Sequence, residues 1–203
     1  MRIHTVVAVL ATAVLAAGCG RVVGGTARSA PTAGKATSDF TENGAPRVKT
    51  PLNFAKSAAA PCGLLTAAQL QGLGMAGVVG KDDSGPTGPS CGWADSFGPS
   101  GQTVFFTFVP GDGGLDFLYE SKSRYGLFEP LPPIQGYPAV LISSNDFRGE
   151  GDCGLAVGLT DTQHMLTSAY LLGGTKPAAR YSDPCGVAKE AAEFALINIK
   201  AGA

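Results

Sequence analysis

Apolar residues recur with two different periods after residue 60, and these periods predict a domain that mixes strands with helices. Segments with aromatic and β-branched residues, or with alternating apolar and polar positions, predict five strands, at residues 91–94, 102–109, 137–143, 153–160 and 163–172. Several of these segments follow one another with no helix between them. We therefore predict the α+β class, an antiparallel sheet of about five strands with helices packed on one face.

Local signals mark the beginnings of three helices. Thr66 and Gln69 have the spacing of a capping box, in which each side chain bonds the backbone N–H of the other residue. A second helical segment runs from Gly114 to Tyr125. Asp183 followed by Pro184 predicts the N-cap and the first turn of an alanine-rich helix near the end of the chain.

The first sixty residues lack these periods and divide into a leader and a tether. Arg2 followed by an apolar run to Leu15 is the layout of a secretory signal peptide. The next forty residues are rich in Gly, Ala, Ser, Thr, Pro and Lys, so they bury too little apolar surface to offset their chain entropy. We predict a signal peptide at 1–18, a modified cysteine and flexible tether at 19–59, and one domain at 60–203.

The stretch Leu15-Ala16-Ala17-Gly18-Cys19 resembles the lipobox of bacterial lipoproteins. The resemblance implies that the chain is cut before Cys19 and that the Cys19 thiol is diacylated. The apolar run is shorter than the ~20 residues of a membrane-spanning helix, and an ordinary secretion signal is the alternative. We expect the lipid anchor to hold the protein at the outer face of the plasma membrane, in the cell envelope.

Charge excludes one class of partner. Cleavage would remove one of the 15 basic residues, Arg2, and none of the 16 acidic ones, so the formal charge moves from −1 to −2. No basic cluster favours nucleic acid, so we expect no nucleic-acid partner. Charged residues are scarce, whereas the 29 glycines and 14 prolines favour a loop-rich, exported fold.

Four cysteines besides Cys19 predict a disulfide framework, since an exported domain with an even number of cysteines typically pairs them. Three pairings are open. We favour Cys62 with Cys91 and Cys153 with Cys185, because each pair would staple the start of a helix to a nearby strand. A metal site usually needs closely spaced ligands. The nearest cysteines are 29 residues apart, so we predict neither a metal nor another cofactor.

Short motifs around these cysteines carry a resemblance to a known family. They are PCGLLT at 61–66, CGW at 91–93, IQGYPA at 134–139, DC at 152–153 and DPC at 183–185. Together they resemble the uncharacterised actinobacterial lipoproteins grouped as domain of unknown function 3558, over most of residues 60–200. That family has no established catalytic residues, so the resemblance implies none here.

One motif suggests catalysis. Residues 88–92, Gly-Pro-Ser-Cys-Gly, match the G-x-S-x-G nucleophile pattern, and a triad would recruit His164 with an aspartate at 146, 152 or 161. A nucleophile elbow needs a strand before the serine and a helix after it, whereas here a Gly/Pro loop precedes Ser90 and a predicted strand follows. A simpler interpretation places His164 on the wetter face of a strand. It places Trp93 in the core beside a disulfide.

We therefore predict a non-catalytic binding or scaffolding module rather than an enzyme. Its expected partners are the membrane, through the lipid anchor, and either an envelope protein or a small lipidic ligand. The alternative is an extracytoplasmic serine hydrolase that uses Ser90 and His164. A serine within hydrogen-bond reach of His164 would favour the enzyme, and an apolar cleft would favour binding.

Overall fold

The computed structural model describes residues 38–111, 113–174 and 177–202. The predicted signal peptide, Cys19 and the first part of the predicted tether lie outside the described residues.

One antiparallel sheet of seven strands organises the domain, in the order β1-β2-β3-β7-β6-β5-β4. The strands are β1 (Lys81–Asp82), β2 (Ser90–Ala94), β3 (Gln102–Val109), β4 (Leu127–Ile134), β5 (Tyr137–Ser143), β6 (Asp152–Gly158) and β7 (His164–Leu171). The helices are α1 (Ala55–Ala59), α2 (Ala67–Gly72), α3 (Gly114–Glu120) and α4 (Pro184–Lys200). Short 3-10 turns cover Pro61–Gly63, Lys122–Arg124 and Arg148–Glu150. The α+β class and the antiparallel sheet are confirmed.

The predicted count of about five strands is wrong, because two strands carry weak sequence signals. β1 has only two residues and forms one edge. β4 forms the other edge and contains Pro130, Pro132 and Pro133. Proline has no N–H to donate to a neighbouring strand, so it is excluded from central strands. It is tolerated at an edge, where one side of the strand has no partner.

The local capping signals are confirmed. The Thr66 and Gln69 side chains form both halves of a capping box at the start of α2. The Asp183 carboxylate accepts the backbone N–H of Gly186 at 3.0 Å, and Pro184 occupies the first turn of α4. These interactions satisfy backbone donors that have no partner within the helix.

α4 covers one face of the sheet. Its small side chains let it lie close to β6 and β7, and together with larger residues they form a fully buried stripe, namely Val187, Ala188, Ala191, Ala192, Ala195, Leu196 and Ile199. The main core packs beneath this stripe and includes Trp93 and Phe106 in edge-to-face contact at 5.7 Å. The prediction that Trp93 is a core residue is confirmed.

The prediction that helices pack on one face only is wrong. α3 covers part of the opposite face, where Leu115 and Leu118 form a second cluster with Val140, Ile142 and Ala156. Successive residues of β5 and β6 point to opposite faces, and both strands are apolar at successive positions. Both of their faces therefore need a covering layer.

Residues 38–59 pack on the domain, so the predicted tether boundary at residue 59 is too late. Leu52 N–H donates to the Leu159 carbonyl at 2.9 Å, and the rings of Phe54 and Phe108 stack at 5.3 Å. Ala45 and Val48 are buried. We call residues 38–54 the strap. The composition of the strap is polar, but a few contacts hold it on the domain. A hydropathy pattern cannot predict such contacts.

The disulfides are Cys62–Cys91 and Cys153–Cys185, which confirms the favoured pairing. The first joins the 3-10 turn before α2 to β2, and the second joins the first turn of α4 to β6. Each bond therefore staples the start of a helical segment to the sheet, as the positions of the cysteines predict.

Candidate functional site

A cleft of about 210 Å³ opens at the end of the sheet where β3 finishes and β7 begins. The end of β3, the loop after it, the start of α3 and the β6–β7 connection form its walls, lined by Val109, Pro110, Gly111, Gly114, Phe117, Thr162 and His164. Most of these groups are apolar. Phe117 stands at the cleft with 54% of its surface exposed.

Gly114 explains how the cleft closes on one side. Its φ is +52°, a conformation that glycine adopts readily. A Cβ at this position would lie 2.7 Å from the Asp161 carbonyl oxygen in the β6–β7 connection. The glycine therefore lets the start of α3 approach this connection directly.

The strap holds α3 and the β6–β7 connection from outside. The Asp116 carboxylate accepts hydrogen bonds from the Thr41 hydroxyl and from the backbone N–H of Asn43, the latter at 2.9 Å. The Asp161 carboxylate accepts the Val48 N–H at 2.8 Å and pairs with Arg47 at 3.0 Å. Both walls of the cleft are thus fixed to the same segment.

His164 is buried, so the prediction that it lies on a wetter face is wrong. It pairs with Val109 on β3 and Gly158 on β6, and α3 covers it. Burial lowers the pKa of His164 to about 4, although a hydrogen bond with the Gly114 backbone acts in the opposite direction. The imidazole is therefore neutral at pH 7, and the cleft carries no formal charge from it.

This burial predicts a pH dependence of folding. The folded pKa lies below the unfolded value near 6.5, so the unfolded chain binds the extra proton as pH falls from 6.5 to 4. We expect the free energy of unfolding to decrease over that window, by on the order of 3 kcal/mol from this group, and to level off below it. Denaturant unfolding at several pH values measures the loss.

The matched variant is His164→Gln. The carboxylates of the two proteins titrate alike, so their contribution cancels when the unfolding free energies of the two proteins are subtracted at each pH. Equal pH slopes for the two proteins between pH 6.5 and 4 would contradict the prediction. His164 is the only histidine besides His4. Its NMR titration can therefore be followed directly if the variant folds poorly.

Ser90 and His164 are not brought together. Ser90 lies on β2 and His164 on β7, with β3 between them, so two strand spacings, about 10 Å, separate their backbones. The buried Ser90 hydroxyl donates to the Phe106 carbonyl at 2.9 Å and lies 3.0 Å from the Thr107 hydroxyl. Its hydrogen bonds are structural.

The three aspartates that could have oriented His164 in a triad also have other partners or lie elsewhere. Asp161 holds the strap. Asp146 pairs with Arg148 at 2.6 Å. Asp152 begins β6, whereas Gly158, the residue paired with His164, ends it. Among the described residues, no group of three or more His, Cys, Asp and Glu side chains could hold a metal ion.

A second, wider cleft of about 440 Å³ lies at the opposite end of β3, between the β2–β3 loop and the segment after β7. Phe97 on that loop is 98% exposed. The more polar lining of this cleft, which includes Ser96 and Ser100, makes it a weaker candidate for apolar recognition.

The sequence analysis singles out His164 but misses Phe117 and the other residues that line the cleft. The only local signal is the glycine-rich stretch at 111–114, which marks a turn without showing what the turn faces. The cleft depends on the approach of α3 to the β6–β7 connection, which is distant in sequence.

A family model described as "Protein of unknown function (DUF3558)" matches residues 14–198. The chain belongs to this family. The DUF3558 match spans both disulfides and every described cleft residue, and it assigns no activity to them. No curated protein and no solved structure matches the chain. None of the helices within the described residues is long and apolar enough to cross a membrane.

Proposed function

We propose that this DUF3558 protein is a lipid-anchored, non-catalytic binding module of the actinobacterial cell envelope, whose cleft beside His164 receives an apolar side chain of an envelope protein. The anchor part of the proposal is supported by the lipobox resemblance at Leu15–Cys19. The binding part is supported by the cleft geometry.

The observation that carries the binding proposal is a small apolar cleft beside a half-exposed aromatic residue. Clefts for drug-sized ligands usually measure about 300–1,000 Å³, and this one measures about 210 Å³. That volume suits one inserted side chain, which is how anchor residues of a protein interface bind. Phe117, 54% exposed at the cleft, would add contact area around such an anchor.

A lipid is the competing ligand, because an acyl segment is also apolar. The length of an acyl chain argues against a lipid ligand, because a cleft of this size would bury only a short part of one chain. The hydrolase alternative is not proposed, because β3 separates Ser90 from His164 and both side chains are committed to packing or hydrogen bonds.

Photocrosslinking tests the choice of ligand. A benzophenone amino acid in place of Phe117 should yield a discrete protein adduct in intact cells, and the same group in place of Phe97 should not. Phe97 is the matched control because it is more exposed, at 98% against 54%, and lies at the other end of β3. Lipid adducts alone at position 117, or equal protein adducts at both positions, would contradict the proposal.

A further inference from the structure

A second surface lies on the sheet face opposite α4, beyond the area that α3 covers. Phe105 on β3 projects over Gly92 on β2, and a Cβ at Gly92 would lie 2.4 Å from a Phe105 ring atom. The glycine therefore lets the aromatic ring lie down over the neighbouring strand. Tyr170 on β7 meets this ring edge-to-face, with ring centroids 6.0 Å apart, and is 46% exposed.

A carboxylate without a partner lies beside Tyr170, on the strand next to it. Asp152 on β6 is directly opposite Tyr170 in the antiparallel register. Its side chain is partly buried, and no hydrogen bond or ion pair joins its carboxylate to another of the described residues. The nearest arginine in sequence, Arg148, is occupied by Asp146 at 2.6 Å and Glu129 at 3.1 Å.

The electrostatics of the surface around Asp152 and Tyr170 favour a bound cation. Burial raises the pKa of Asp152. Burial, and to a smaller extent the Asp152 charge, raise the pKa of Tyr170, while a hydrogen bond with the Ser168 side chain lowers it. The partly buried Asp152 carboxylate pairs with no cation among the described residues. A positive ligand would supply the missing charge, and the faces of aromatic rings also attract cations.

We propose that Phe105, Tyr170 and Asp152 form a second binding site, which takes an arginine side chain of a protein partner. A guanidinium is planar, so it can stack on an aromatic ring while its N–H groups donate to a carboxylate. A lysine ammonium makes the charge contact but lacks the flat surface for stacking. This site is separate from the cleft, because Asp152 begins β6 and the partner of His164 ends it.

Two blocked tripeptides, acetyl-Gly-Arg-Gly-amide and its citrulline counterpart, test the site on the full folded domain by two-dimensional NMR. Citrulline has nearly the shape of arginine but no charge. We expect the arginine peptide to shift the amide signals of residues 105, 152–154 and 168–170 saturably. We expect the citrulline peptide to bind at least about tenfold more weakly, since hydrogen bonds to charged groups contribute more than neutral ones.

Two variants test whether the preference for the arginine peptide depends on Asp152. Asp152→Asn should remove the preference for arginine, whereas Glu150→Gln should keep it, because Glu150 carries the same charge two residues away on the 3-10 turn. The proposal is wrong if both peptides shift the same signals equally. It is also wrong if Asp152→Asn binds like the natural chain, or if phosphatidylcholine vesicles shift these signals and the arginine peptide does not. The peptide comparison needs no variant, so it holds even if Asp152→Asn folds poorly.

Discussion

Replacing both Cys153 and Cys185 by alanine should lower the free energy of unfolding by about 3–4 kcal/mol, the chain-entropy value for a closed loop of this length. The bond joins residues 32 apart and ties the first turn of α4 to β6. α4 carries the buried stripe that packs on the main core, so the bond fixes the start of this helix to the sheet. Denaturant unfolding of the double variant and the natural protein measures the loss.

The other disulfide is the matched control. Cys62–Cys91 closes 29 residues, so the same model predicts nearly the same loss when both of its cysteines become alanine. A loss below about 1 kcal/mol for either pair would contradict a structural role in the oxidised protein. Free thiols at all four positions in exported protein would contradict the framework itself.

Cys19→Ala should move the protein from the membrane to the soluble fraction, or leave it as uncut precursor. The predicted anchor is the diacyl group on this cysteine, and buried acyl chains hold a protein at the membrane at about 0.8 kcal/mol per methylene. Fractionation combined with mass spectrometry of the N-terminus measures both outcomes.

Ala16→Leu is the control for this experiment, because it introduces the leucine that lipoboxes usually have three residues before the cysteine. We predict that this variant is cut and anchored, as we predict for the natural chain. If Cys19→Ala still partitions fully with membranes and is trimmed to the mature size, the lipoprotein prediction is wrong.

Features that depend on a few neighbouring residues are readable from the sequence. The capping box at Thr66 and the Asp183 cap form within one helical turn, so local spacing is sufficient to find them. The sequence leaves three disulfide pairings open. The favoured one, which joins neighbouring cysteines along the chain and gives each pair one member near a helix start, is the pairing in the structure.

Features that depend on distant contacts are not readable in this way. β4 contains three prolines and is a strand only because it lies at an edge of the sheet. The burial of His164 depends on α3, which packs over the far face through the close approach at Gly114. The strap has a linker-like composition, but two aspartates from distant elements, Asp116 and Asp161, bind its backbone.

The most direct test of the proposed binding function is to fill the cleft. Thr162 lines it and is exposed, so Thr162→Trp would place an indole where the partner side chain is proposed to bind. Thr50→Trp is the matched control on the strap, since Thr50 is exposed and is not among the cleft residues. With the photocrosslinker at position 117, we predict that Thr162→Trp abolishes the protein adduct and Thr50→Trp preserves it. An adduct of undiminished yield in a folded Thr162→Trp protein would contradict the account.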